Sequence, residues 1–361
     1  MKLLTNYLSN TDYDNAIDNE DIGYPNTSFI QETSSLHILN DKVDYSTQYF
    51  NLTPHEDANI TIIPSGSTFP INGQYMYISY SIDECETWNQ VPTDTNATLS
   101  VKAGKKIYLK ASVYKHHKWT NLGSPGRAKI YTCDKQYTIA GNILSLIYED
   151  DFLGDDIIAL NTLSGYFVDD TNLVDAQNLY LTPNMDLSAY DGMFKGCTSL
   201  VNAPSILPAT TLTRGCYYEM FSGCTSLVNA PELPATTLAN YCYYNMFRGC
   251  TSLTTAPELP ATTLAERCYE RMFEGCTSLT TTPELPATTL ASECYAYMFR
   301  DCTSLSNITM LATNISAYSC LLDWVKNVAS TGTFTKHQDM TTLPSGDSGI
   351  PSGWTVVDYA A

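Results

Sequence analysis

The sequence predicts a chain of several parts: an extended N-terminal arm over residues 1–40, an all-β sandwich over 41–135, and an α/β solenoid of tandem units closed by a cap at each end. Three observations predict this. One phrase returns between Met193 and about Tyr318, with copies starting at Met220, Met246, Met272 and Met298, a spacing of 26 residues. Units of that period bury their apolar face only by stacking on one another. Ahead of them lie six or seven short β-rich runs broken by turn residues. Ahead of those, Asp, Asn, Ser and Thr dominate, and neither a helical nor an alternating period survives counting.

The arm is acidic. Residues 1–57 hold ten Asp and Glu against Lys2 and Lys42. The stretch DYDNAIDNED at 12–21 has the oxygen-rich look of a calcium loop, but it lacks the Gly and terminal Glu spacing of an EF-hand and reads as a solvated stretch. From 41 to 135 the runs YSTQYFNLT, ANITII, QYMYISYSI, ATLSVK, KKIYLKASVY and AKIYTC follow one another. Ile107, Leu109 and Ala111 alternate with Lys106, Tyr108 and Lys110, so one face turns inward. Strand number and spacing suggest an immunoglobulin-like sandwich, with Gly104 and Lys105 as a hairpin turn. The run Ser81-Ile-Asp83-Glu-Cys85-Glu-Thr87-Trp88 resembles the Asp-box of sialidase propellers, S-x-D-x-G-x-T-W, with Cys85 in the place of the glycine. In that family the Asp ties down the turn and the Trp packs beneath it; one copy implies no catalytic role. YKHHKW at 114–119 is the one basic and aromatic patch, a hairpin tip or an anion or glycan contact.

Residues 136–165 are apolar with acidic interruptions and read as the cap of the first solenoid edge. Tyr166–Leu173 is a worn copy of Met193–Leu200, making six units over 166–318. Within a unit, Leu238, Cys242 and Met246, with Ala239, Tyr243 and Phe247 one step round, predict an amphipathic helix. Thr236 or Thr237 would cap it and Gly249 would end it. The segment Leu253–Leu259 predicts a strand that Pro257 keeps short or irregular. Leu321, Leu322, Trp324, Val325 and Val328 predict a longer closing helix, and residues 319–361 the second cap.

The wording Phe-x-Gly-Cys-Thr-Ser-Leu, followed by an L-x-x-A/I run, resembles the BspA-like leucine-rich repeats of gut Bacteroidetes and their phages; the longer phrase, like the ending IPSGWTV, is similar to Bacteroides phage structural proteins. The resemblance covers roughly residues 136–361. It implies a binding scaffold without chemistry of its own: a virion head or tail fibre or decoration protein. Such a protein would be docked on capsid or tail proteins through the arm, form a homo-oligomer, and attach to a host surface glycan or protein. The alternative is a bacterial cell-surface adhesin or glycan-binding module. The start MKLLTNYLSNTDYDN has too short an apolar run for a signal peptide, so the expected place is a virion assembled in the host cytoplasm.

The net charge of −19 argues against nucleic acid, and no apolar run suits membrane insertion. Enzymatic activity and cofactors are not expected: His37, His55, His116, His117 and His337 all lie outside the repeats and in no triad or metal spacing. Ten of the twelve cysteines form two series, Cys197, Cys224, Cys250, Cys276 and Cys302, and Cys216, Cys242, Cys268, Cys294 and Cys320. Stacking puts each in a column, read as a structural ladder of buried thiols. The candidate contact residues are Val201, Asn202, Val228, Asn229, Thr254, Thr255, Thr280 and Thr281 on the strand side, and Tyr218, Tyr241, Tyr244 and Tyr297 on the other. Glu232, Glu258 and Glu284 make a row of like charge that a divalent cation would neutralise.

Overall fold

The structure, a computed structural model, describes residues 44–64, 76–113, 129–152 and 163–360. Contacts divide the chain into Met1–Asp44 and Tyr45–Ala361, and every described residue but Asp44 belongs to the second unit. The arm, the YKHHKW patch with His116 and His117, His37, and residues 153–162 of the expected cap lie outside the described residues.

The described chain is mostly β-sheet with almost no helix. Its first part is an all-β sandwich. One sheet has the order β4 (Asn89–Gln90), β3 (Met76–Ser81), β6 (Ile107–Val113), β1 (Asn51–Pro54), β8 (Tyr137–Asn142), β9 (Leu173–Tyr180); the other has β5 (Ala97–Val101), β2 (Ala58–Ile62), β7 (Tyr131–Cys133). Buried residues of both, among them Leu52, Ile107, Leu109 and Ile139 from the first and Ile60, Ile62 and Tyr131 from the second, join one core. The turn at Gly104 is not a hairpin: β5 pairs with β2 while β6 pairs with β1 and β3, so Gly104 (φ 74°) carries the chain from one sheet to the other.

The Asp-box turn forms without its glycine. Glu84 and Cys85 take left-handed φ of 58° and 72°. The Ser81 hydroxyl donates to Asp83 Oδ1 (2.6 Å), the Cys85 N–H donates to Ser81 Oγ (3.0 Å), and the Thr87 N–H donates to Asp83 Oδ1 (3.0 Å). These bonds, the Ser81 bond foremost and the two from Thr87 next, hold the Asp83 carboxyl down to about 2. Trp88 packs edge-on against Tyr49 at 4.8 Å and receives the Lys110 ammonium over its ring at 4.5 Å. Lys110 belongs to the polar face of β6, yet it is 7% exposed; Asp150 satisfies it at 2.7 Å.

β8 pairs antiparallel with β1 and parallel with β9, so the sandwich sheet leads straight into the repeats. Parallel bridges then run Asp175 to Asn202, Asn202 to Asn229, and Thr255 to Thr281. They stay isolated because Pro204, Pro231, Pro257 and Pro283 supply no N–H to a ladder. β10 (Thr281–Leu285) contains Pro283 and shifts register there, whereas β11 (Asn307–Met310), β12 (Thr333–Lys336) and β13 (Thr355–Asp358) have no proline and pair continuously in parallel.

The expected helices are not formed, either in the repeats or over Ser316–Ala329. Among the described residues the only α-helix is the four-residue α1, Ser145–Tyr148. In the unit around Cys242, N–H groups of alternate residues close tight turns, Cys242 to Ala239, Tyr244 to Tyr241 and Met246 to Tyr243. Those between them reach the next unit, Tyr243 to Cys268, Asn245 to Glu270 and Phe247 to Met272. Packing distance explains the difference. Helices pack about 8–10 Å apart, but the side opposite the strands is spaced like the strands: Phe221, Phe247 and Phe273 stack at 5.6 and 5.5 Å. A four-residue alternation of two apolar core residues and two turn residues, the latter including the buried Asn245, Glu270 and Glu274, satisfies that spacing with turns.

Aromatic columns run through the stack. Phe167, Phe194, Phe221, Phe247, Phe273 and Phe299 follow at 5.1–5.7 Å. Tyr190, Tyr217, Tyr243, Tyr269 and Tyr295 follow at 5.7–6.0 Å. Trp324 ends both, and its indole N–H donates to the Gly349 carbonyl at 2.9 Å.

Candidate binding surface

The turn side of the stack is built on backbone that L-residues avoid. Three files of left-handed residues run along it. One holds Asp169, Gly196, Gly223, Gly249, Gly275, Asp301 and Asn327, with φ of 73–77° at its glycines and 56–62° at the other three. The second holds Ser188, Gly215, Tyr241, Arg267, Glu293 and Ser319, and the third Gly192, Glu219, Asn245, Arg271, Tyr297 and Asp323, with non-glycine φ of 46–59°. A side chain in this region costs about 1–2 kcal/mol that glycine does not. The four glycines of the first file show that glycine suits this kind of turn, so the side chains at the other left-handed positions are kept against that cost.

Those side chains engage one another from unit to unit. Arg267 bonds Glu293 (2.6 Å) and lies over the Tyr241 ring (5.6 Å), with Arg214 also against that ring (5.3 Å). Arg271 covers Tyr297 at 4.3 Å and pairs with Glu274 at 3.1 Å. Asn245 donates to Glu219 at 3.0 Å, and Arg248 to Glu274 at 2.9 Å. Tyr218 and Tyr244 stack at 4.7 Å with 8° between their planes. Burial pushes the Glu270 carboxyl up, against the pull of Arg267 and Arg271. All six basic residues between 193 and 318, Lys195, Arg214, Arg248, Arg267, Arg271 and Arg300, lie in these turn segments. The surface is therefore a preorganised lattice of aromatic faces, donors and acceptors.

The strand side is plainer. Asn229 donates to Asn202 (2.6 Å) and Asn202 to Asp175 (2.7 Å), an amide ladder along three units. Val228, Asn229, Thr254, Thr255, Thr280 and Thr281 are exposed and Val201 and Asn202 half-buried. Glu284 accepts a hydrogen bond from Tyr359. Among the described residues no group of three His, Cys, Asp or Glu is arranged to hold a metal ion, and no helix is long and apolar enough to cross a membrane.

The cysteines are free, and the ten in the repeats are buried. The first series has a directional role that spacing did not reveal. Each thiol faces the phenylalanine carbonyl of the preceding unit, Cys197 to Phe167, Cys224 to Phe194, Cys250 to Phe221, Cys276 to Phe247 and Cys302 to Phe273, at 2.9–3.2 Å. Burial pushes the Cys197 and Cys276 thiols up to about 12. In the second series the Cys242 thiol lies near those of Cys216 and Cys268.

Of the candidate contact residues, the structure gathers the tyrosines with the arginine and glutamate files and leaves the valine, asparagine and threonine residues on the separate strand face. Sequence reasoning did not name Arg214, Arg267, Arg271 and Glu293 as contacts; the change of residue from copy to copy at Tyr241, Arg267 and Glu293 and at Asn245, Arg271 and Tyr297 was the available signal. Comparison with family models, curated proteins and solved structures finds no match for this chain.

Proposed function

We propose that this chain is a non-enzymatic structural protein of a phage virion, a head or tail fibre or decoration protein, in which a BspA-like leucine-rich-repeat solenoid is displayed for adhesion to a host surface protein or glycan. The observation that carries the reading is the pair of files where Tyr241, Arg267, Glu293, Glu219, Asn245, Arg271 and Tyr297 occupy left-handed backbone. A scaffold selected for stability alone would place glycine there, as four successive units of the neighbouring file do at Gly196, Gly223, Gly249 and Gly275. Rows of side chains pinned by inter-unit bonds lose little freedom on binding, which favours recognition.

The test has two arms. Immunogold microscopy with an antibody to residues 193–318 should label virions; label confined to the surface of uninfected bacteria would instead support a cellular adhesin. Purified protein should bind host envelopes and lose that binding in Tyr241→Gly and Tyr297→Gly without a fall in melting temperature. Unchanged binding would remove the turn side from the proposal.

A further inference from the structure

Where the sandwich meets the first stacked unit, a lysine and an aspartate are held in an arrangement that adhesion does not call for. Lys129 lies just before β7, and Asp170 in the turn before β9. Asp170 Oδ1 accepts the N–H groups of Asn172 (3.0 Å) and Leu173 (3.2 Å). Asp170 Oδ2 meets both the Lys129 ammonium and the Tyr137 hydroxyl, and Lys129 Nζ lies 2.7 Å from that hydroxyl. Around the ammonium stand the rings of Tyr131 (4.6 Å), Tyr137 (5.1 Å) and Phe167 (6.0 Å). The Asp170 side chain is 10% exposed and that of Lys129 20%.

Each part has a chemical use. Nζ is a nucleophile in contact with a carboxyl group. The two backbone N–H groups on Oδ1 form a hole for the negative charge that a tetrahedral carbon would place there. The Tyr137 hydroxyl bridges Nζ and Oδ2, a path for protons between the attacking and the leaving atom. The aromatic wall excludes most water.

The geometry points to an intramolecular isopeptide bond between Lys129 and Asp170. One proton passes from Nζ through the Tyr137 hydroxyl to Oδ2, and the freed amine adds to Cγ while Oδ1 takes the charge in its hole. A second proton follows the same path, Oδ2 departs as water, and an amide remains. Nζ–Cγ forms, Cγ–Oδ2 breaks, and the ammonium and carboxylate become one amide and one water, with no oxidant or cofactor. Two effects favour the step. Fixed neighbours react with effective molarities on the order of 10⁵–10⁸ M. The amide also removes two partly buried charges, whose desolvation is unfavourable. The bond would tie the sandwich to the stack where β8 hands over to β9, and it stands whether or not the chain serves in attachment.

The experiment is the intact mass of the purified full chain in denaturant, followed by proteolysis. The expected mass falls short of the sequence by one water, with a branched peptide joining Lys129 to Asp170; Lys129→Arg and Asp170→Ala restore the full mass. Tyr137→Phe should still react, but on the order of 10²-fold more slowly in a time course after synthesis, the scale of losing one transition-state hydrogen bond. A full mass with only linear peptides overturns the proposal and leaves an ion pair. A missing water without the branched peptide, as a succinimide would give, overturns it equally. The wild-type mass decides the matter even if the variants fail to fold.

Discussion

Phe247→Ala is the sharpest probe of the stack. Phe247 is fully buried between Phe221 at 5.6 Å and Phe273 at 5.5 Å, near parallel to both. Truncation at a rigid buried site costs about 3–5 kcal/mol, transfer and cavity together. Each lost ring contact is worth about 0.5–1.5 kcal/mol beyond burial, which puts this position at the upper end, about 4–5 kcal/mol. Collapse into the gap is resisted because the inter-unit bonds, including Phe247 N–H to the Met272 carbonyl, hold the spacing. Phe247→Leu keeps most of the volume and loses only the two ring contacts, about 1–3 kcal/mol by the same figures. Urea denaturation read by circular dichroism and by tryptophan emission should order the chain as wild type, Leu variant, Ala variant. A loss below about 1 kcal/mol for the alanine, or a leucine variant no better than alanine, would refute the picture of a close-packed column.

Further outcomes follow from the same geometry. Gly249→Ala should cost about 1 kcal/mol in urea, because φ is 73° while the added Cβ would meet nothing closer than the Gly223 Cα at 4.0 Å; strain, not crowding, is the cause. Asp83 sits below its unfolded value, so its contribution is present above about pH 4 and disappears as pH falls toward about 2. Asp83→Asn should therefore flatten the acid limb of an unfolding profile, and an unchanged limb would deny the turn its role. The repeat thiols, pushed up to about 12 at Cys197, Cys216, Cys268 and Cys276, should ignore a thiol reagent at pH 8 until the chain unfolds, when all twelve cysteines titrate; fast reaction of the native protein would contradict their burial.

Much of this was legible in the residues. The period showed which positions face inward: Cys242, Tyr243, Met246, Phe247 and Leu253 repeat and are buried. Pro257 announced an irregular strand, and alternation at Ile107, Leu109 and Ala111 located a sandwich face. The Asp-box signature announced a turn that forms even with Cys85 at φ 72°. The surface was half legible. Its tyrosines were named, while the arginines and glutamates that hold them were not.

The order of the amino acids alone determined the repeat, its inward residues and the places where proline interrupts pairing, because these depend on side-chain volume, polarity and the absence of a single N–H. Only the tertiary structure decided that the segment from Leu238 to Phe247 is a chain of turns. Apolar residues four apart suit a helix seen in isolation, but neighbouring units about 5.5 Å away leave no room for one and take up half of its N–H groups. The meeting of Lys129, Tyr137 and Asp170 was decided there as well, since residues 41 apart in the chain become partners only when β8 pairs with both β1 and β9.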